Sequence, residues 1–170
     1  MRRRGSWRGA AVAMLVAIAI GASAMLAVAT AEVTRLPDVR ADLDGRAIPL
    51  SAVGRFHCHD FAYPVIHCFA SSQGLDTAVE PILATTALDY VAIFEFAGYG
   101  GAAMYVSSDY TVLATIGWND RISSFKARNS LSGRFWTDWF YTGSQYAFCC
   151  NTTFPSLGSW DNTFSSVQRT

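Results

Sequence analysis

Residues 89–170 read as an all-β protein, a two-sheet sandwich, preceded by an N-terminal signal segment (1–31) and a short cysteine-containing extension (32–88). Three observations predict this. From Tyr90 onward, short runs of Val, Ile, Phe, Tyr and Thr are broken every eight to twelve residues by Gly, Asn, Asp or Ser, the rhythm of strands joined by turns. No helical period runs through the same stretch. The last eighty residues also repeat: residue n falls on n+42 without a gap.

The elements follow in chain order. Arg2, Arg3, Arg4 and Arg8 give a basic start, Ala10 to Ala27 is uncharged and apolar, and Ala27-Val28-Ala29 and Ala29-Thr30-Ala31 are small-x-small cleavage sites. This is the pattern of an export signal, with the mature chain expected to start near Glu32 and to be secreted. Left uncleaved, Gly9 to Ala31 is long enough to anchor the chain in a membrane. With 170 residues, no formal net charge and 15% charged residues, the chain has room for one domain and no basic stripe to hold nucleic acid.

From Glu32 to about Leu50 the chain is polar, with Pro37 and Gly45, and reads as a flexible lead-in. Two short extended pieces around Tyr63-Pro64 follow, then a short helix within Ser72 to Ala84, interrupted by Gly74 and Pro81. Export implies oxidising conditions, so Cys58, Cys68, Cys149 and Cys150 are expected in disulfides. Pairing the neighbours Cys149 and Cys150 would close a strained ring, which favours long-range bonds from Cys58 and Cys68 to that pair.

The two repeat units span about 89–129 and 130–170. The offset superposes Phe94 on Trp136, Tyr99 on Tyr141, Gly101 on Gly143, Trp118 on Trp160, Asn119 on Asp161 and Asp120 on Asn162, then Ser123-Ser124 on Ser165-Ser166. Each unit opens with an aromatic and, seven residues on, a glycine suited to a tight hairpin under a folded-back ring. Each closes with an Asp/Asn pair and Ser-Ser. An aromatic-x6-Gly hairpin followed by [Asn/Asp]-[Asn/Asp]-x-x-[Ser/Thr]-Ser resembles the βγ-crystallin superfamily, whose paired motifs form a two-sheet Greek-key wedge. The resemblance covers about Asp89 to Arg169.

Asn, Asp and Ser side chains with turn carbonyls form an oxygen donor set suited to Ca²⁺ rather than to softer metals. The resemblance implies that these loops are the calcium loops, each of two sites borrowing from both motifs. It assigns side-chain ligands to Asn119, Asp120 and Ser123 and to Asp161, Asn162 and Ser165. It adds carbonyls from Arg121 and Thr163, and from hairpin positions near Glu95 and Thr137. One Asp per loop and the charge of Arg121 imply weak binding, on the order of 10⁻⁵ to 10⁻³ M. The plainer reading makes the loops hairpin caps in which Ser-Ser bonds the backbone.

Other groupings are weaker. His57, His59, Asp60 and His67 beside Cys58 and Cys68 could hold zinc or copper, but also fit a disulfide-bearing hairpin. No nucleophile-base couple stands out, so no enzyme is expected. Asn151-Thr152-Thr153 is a glycosylation pattern. Phe135, Trp136, Trp139, Phe140 and Tyr141 could include a binding face for sugar or protein. The leading expectation is an exported calcium-binding protein with a structural or adhesive role, its partners calcium and an extracellular protein or glycan. The alternatives are an inhibitor of secreted proteases presenting "HCHDFAYPVIHC", since one family of small metalloproteinase inhibitors is crystallin-like, and a glycan- or cell-wall-binding module.

Overall fold

The computed structural model describes residues 38–170; the expected signal segment and cleavage sites lie outside the described residues. Strands β1 (Arg40–Leu43) and β2 (Arg46–Ile48) form a hairpin through Asp44 and Gly45, at φ 49° and 82°. Asp-Gly is the pair that a two-residue hairpin turn favours. A 3₁₀ turn (Leu50–Arg55) leads to β3 (His57–Ala62) and β4 (Val65–Phe69), with Tyr63-Pro64 at the bend. The expectation of a flexible lead-in is therefore corrected from Arg40 onward. Strands β1 and β2 are short and bury Ala41 alone, too brief for an alternating pattern to register. Asp44-Gly45 was the available signal.

Helix α1 (Ser72–Thr85) begins where the Gly74 N–H donates to the Ser71 hydroxyl at 3.1 Å, an N-cap, and it buries Leu75 and Val79. The first repeat unit supplies β5 (Tyr90–Phe96), β6 (Gly100–Val106) and β7 (Ser124–Arg128). The second supplies β8 (Ser132–Trp136), β9 (Gln145–Cys149), β10 (Thr153–Phe154) and β11 (Ser166–Arg169).

Two sheets result. One has eight strands in the order β10-β7-β5-β6-β3-β4-β1-β2, and the other three in the order β11-β8-β9. The units exchange pieces. Strand β10 of the second unit pairs with β7 of the first, and Tyr110 of the first bridges Val167 in β11 of the second. This exchange gives the crystallin-like, two-sheet Greek-key arrangement expected from the repeat. Meanwhile β3 pairs in parallel with β6, and β4 with β1, so the cysteine-containing segment extends the first unit's sheet.

The main core lies between the sheets, where Phe135 stacks 5.0 Å from Phe164 and meets Phe125 edge-on at 5.2 Å. A second apolar cluster fills the other face of the large sheet under α1, with Leu75, Val79, Tyr90 and Phe94.

The long-range disulfides are also corrected. Cys58 bonds Cys68, and Cys149 bonds Cys150. Cys58 and Cys68 face each other in register across the β3–β4 hairpin, both fully buried, with Cα atoms 4.0 Å apart. Cross-strand partners already stand at bridging distance. Cys149 and Cys150 sit at the exposed end of β9 in the other sheet.

Candidate metal centre

The two loops are built alike because the repeat reproduces the backbone as well as the residue types. Asp120 and Asn162, 42 positions apart, take φ 51° and 55°, a left-handed conformation that Asn and Asp tolerate better than most residues. Gly101 and Gly143 take φ 74° and 78° in the hairpins. A Cβ on Gly101 would lie 2.9 Å from Glu95 Cβ, and one on Gly143 would run into Thr137. The crowding thus comes from residues just after the opening aromatic, while the Phe94 ring packs on Tyr99 at 5.5 Å.

The second Ser of each pair has a structural task. Ser124 Oγ donates to the Phe96 carbonyl at 2.7 Å and accepts from Tyr99 N–H at 3.1 Å. Ser166 does the same with the Asp138 carbonyl at 2.7 Å and Tyr141 N–H at 3.2 Å. Both are fully buried and clamp the hairpin to the loop. They lock the site without belonging to it.

The first Ser of each pair stands where the loops meet. Asp120 N–H donates to the Phe164 carbonyl at 2.9 Å, and Asn162 N–H to the Ile122 carbonyl at 3.1 Å. The loops thereby cross, and at one crossing Ser123 Oγ donates to Asn162 Oδ1 at 3.3 Å. Glu95, Asp120, Arg121, Ser123, Asp161 and Asn162 line one concavity. The other expected ligands lie outside it. Asn119 Oδ1 accepts from the Trp139 indole at 3.1 Å, Thr137 Oγ1 accepts from Ser144 N–H at 2.9 Å, and the Thr163 hydroxyl donates to the Trp160 carbonyl at 2.9 Å. Ser165 is nearly buried, its N–H on the Trp136 carbonyl at 2.8 Å.

The halves differ electrostatically. Arg121 Nη2 reaches Glu95 Oε1 at 2.5 Å. Burial pushes the Glu95 carboxyl up, but the Arg121 hydrogen bond, the Ala102 amide and the Arg121 charge outweigh it and hold the carboxyl below its usual range. At the second half Thr137 and Thr163 stand in these places, uncharged. Oxygen donors line the one concavity, so the residues there fit a hard cation in kind. Among the described residues no three His, Cys, Asp or Glu side chains gather at a metal-binding distance. The expected donors are instead mainly amide, hydroxyl and carbonyl oxygens.

The histidine group has another character. Cys58 and Cys68 are bonded to each other, and His59 is nearly buried, its ring 5.0 Å from Phe61 and 6.1 Å from Phe69. His67 Nδ1 lies 2.7 Å from Asp42. Burial and then the His67 charge lower the His59 pKa to about 4, against the opposing pull of Asp42. An unfolded histidine takes its proton near pH 6.5, so the folded state resists a proton that the unfolded state accepts. The stability from neutral His59 is complete above about pH 6.5 and is lost as pH falls toward 4. Urea midpoints across that window should show a loss on the order of 2–3 kcal/mol that His59→Gln removes. Equal slopes in both proteins would refute it.

Sequence reasoning named Asp60 only as a possible metal ligand and missed its role as a buried acceptor. This fully buried carboxylate accepts from Ser107 N–H at 2.5 Å, Ser107 Oγ at 2.7 Å, Ser108 N–H at 3.1 Å and the Tyr110 hydroxyl at 3.1 Å. An acid standing inside strand β3, between His59 and Phe61, was the available signal. The aromatic hairpin divides, with Phe135 fully buried and Trp139 and Phe140 at 51% and 65% exposure.

No protein-family model matches the chain, and no curated protein matches it. Solved structures do resemble it. A βγ-crystallin from an archaeon is 27% identical over 48% of this chain and 98% of its own, with a TM-score of 0.43. A βγ-crystallin from Ciona intestinalis is 26% identical over 48% and 99%, with a TM-score of 0.44. A βγ-crystallin domain from Clostridium beijerinckii is 20% identical over 47% and 95%, with a TM-score of 0.41.

Proposed function

We propose that the chain is an exported calcium-binding protein with a structural or adhesive role outside the cell. The observation that carries this reading is the crossed pair of loops: two backbone hydrogen bonds tie each loop's Asp/Asn to the other loop, joining donors 39 residues apart at Ser123 and Asn162. An ion held there would tie the two units together and stabilise the folded state by mass action. Its donors would be Asp120, Ser165 and the Thr163 carbonyl at one half, and Asn162, Ser123 and the Arg121 carbonyl at the other. No reaction is assigned to the ion.

Thermal unfolding with calcium and with chelator tests the reading. Calcium at about a hundred times its Kd adds about 2.7 kcal/mol, which should raise the midpoint by about 5–10 °C. Asp120→Ala should remove most of that rise. A midpoint that chelator leaves unmoved would sink the proposal. The protease-inhibitor alternative draws no support from the geometry of "HCHDFAYPVIHC", since β3 and β4 lie inside the large sheet and only the turn around Tyr63 stands out.

A further inference from the structure

We propose that Arg121 is a built-in cation, its guanidinium taking the place of an ion at the first of the paired sites, so that the protein binds one calcium ion, at the second. This rests on the calcium reading above and assigns the two halves different roles.

The guanidinium is fixed from several sides. Nη2 pairs with Glu95 Oε1 at 2.5 Å, and Nη1 donates to the Gly117 carbonyl at 2.9 Å. Arg121 Cζ lies 5.8 Å from the centre of the Trp118 ring, where a cation meets the negative face of the indole. Gly54, in the 3₁₀ turn before β3, closes the remaining side: a Cβ there would stand 2.7 Å from Nη1 and collide with the Gly117 carbonyl. The cysteine-containing segment therefore forms part of the wall that holds the arginine in place.

Glu95 is saturated by this arrangement. Its other oxygen accepts from Ala102 N–H at 3.1 Å. The concavity lined by Glu95, Asp120, Ser123, Asp161 and Asn162 thus already contains a fixed positive charge among its carboxylates, and a divalent ion entering it would meet the guanidinium at short range. The ion would also compete for a carboxylate already engaged at both oxygens.

Forty-two residues on, none of this recurs. Thr163 replaces Arg121, Thr137 replaces Glu95 and Ser159 replaces Gly117. The Thr163 hydroxyl turns back to the Trp160 carbonyl. Asp120 is tied to the second loop through its N–H on the Phe164 carbonyl, while it also lines the concavity that holds Arg121. The uncharged neighbours therefore fall on the second half, and the fixed cation on the first.

Calorimetric titration with calcium chloride, on the wild type and on Arg121→Thr, decides the matter. The expected stoichiometry is one ion for the wild type and two for Arg121→Thr. Arg121→Lys keeps a cation and should remain at one. In chelator, Arg121→Thr should melt about 2–4 °C below the wild type, and saturating calcium should recover that loss. Two ions in the wild type, or one in both the wild type and Arg121→Thr, overturns the inference and leaves the calcium reading standing. No ion in any of these proteins, with midpoints indifferent to chelator, overturns both. If Arg121→Thr does not fold, the wild-type stoichiometry alone decides: one supports the inference and two overturns it.

Discussion

Asp60→Ala should destabilise the protein by about 3–4 kcal/mol, read as a fall in the urea midpoint with the slope unchanged. Asp60 is fully buried, and its carboxylate gathers the backbone and hydroxyl of Ser107, the backbone of Ser108 and the hydroxyl of Tyr110. Bonds to a charged acceptor are the stronger kind, and a buried donor left without a partner pays its full desolvation cost. Burial pushes the carboxyl above its ordinary range, and those four bonds oppose the rise without cancelling it. Asp60→Asn tests the chemistry apart from the volume. It can keep an acceptor at Oδ1 for Ser107 but sets an amide donor against Ser108 N–H, and about half the loss should remain. A loss below about 1 kcal/mol for Asp60→Ala would show that solvent reaches these donors.

Gly54→Ala should cost about 3 kcal/mol, although it adds a single methyl group. The added carbon would collide with the backbone carbonyl of Gly117, and a carbon on Gly117, at φ 72°, would in turn lie 2.5 Å from the Ser51 carbonyl. Backbone meets backbone on both sides, so no side chain can swing away to make room. Gly100→Ala is the control: its added carbon would find ordinary contacts no closer than 3.7 Å, and it should change stability by less than about 0.5 kcal/mol. Equal midpoints for Gly54→Ala and the wild type would refute the close approach. A displaced 3₁₀ turn would also release Arg121, so the Gly54→Ala protein should gain calcium stoichiometry as it loses stability.

The fold of the repeated half was legible because a 42-residue offset preserves the hairpin glycines, the left-handed loop positions and both serines at once. The candidate site was legible in its residue types and partly in its grouping, since the crossing of the loops follows from the pairing of the motifs. What escaped was set by register and side-chain direction. Nothing in the spacing of Cys58 and Cys68 announces that they face each other across β3 and β4. The direction in which Arg121 points depends on Gly117 and Glu95, one 4 residues before it and the other 26. Asp60 is a lone acid whose donors lie 47 to 50 residues away. The strands before Leu50 were missed because strands of three and four residues carry little pattern beyond their turn.

The exchange of pieces between the two units also fixes an order of completion during synthesis. A chain made from its N-terminus leaves the outer edge of β7 without its neighbour until Thr153 and Phe154 have been made, and Tyr110 must wait for Val167. Neither sheet is finished while only one unit exists. The growing chain therefore carries an open strand edge through most of the second unit's synthesis, and Ser166–Arg169 complete the second sheet.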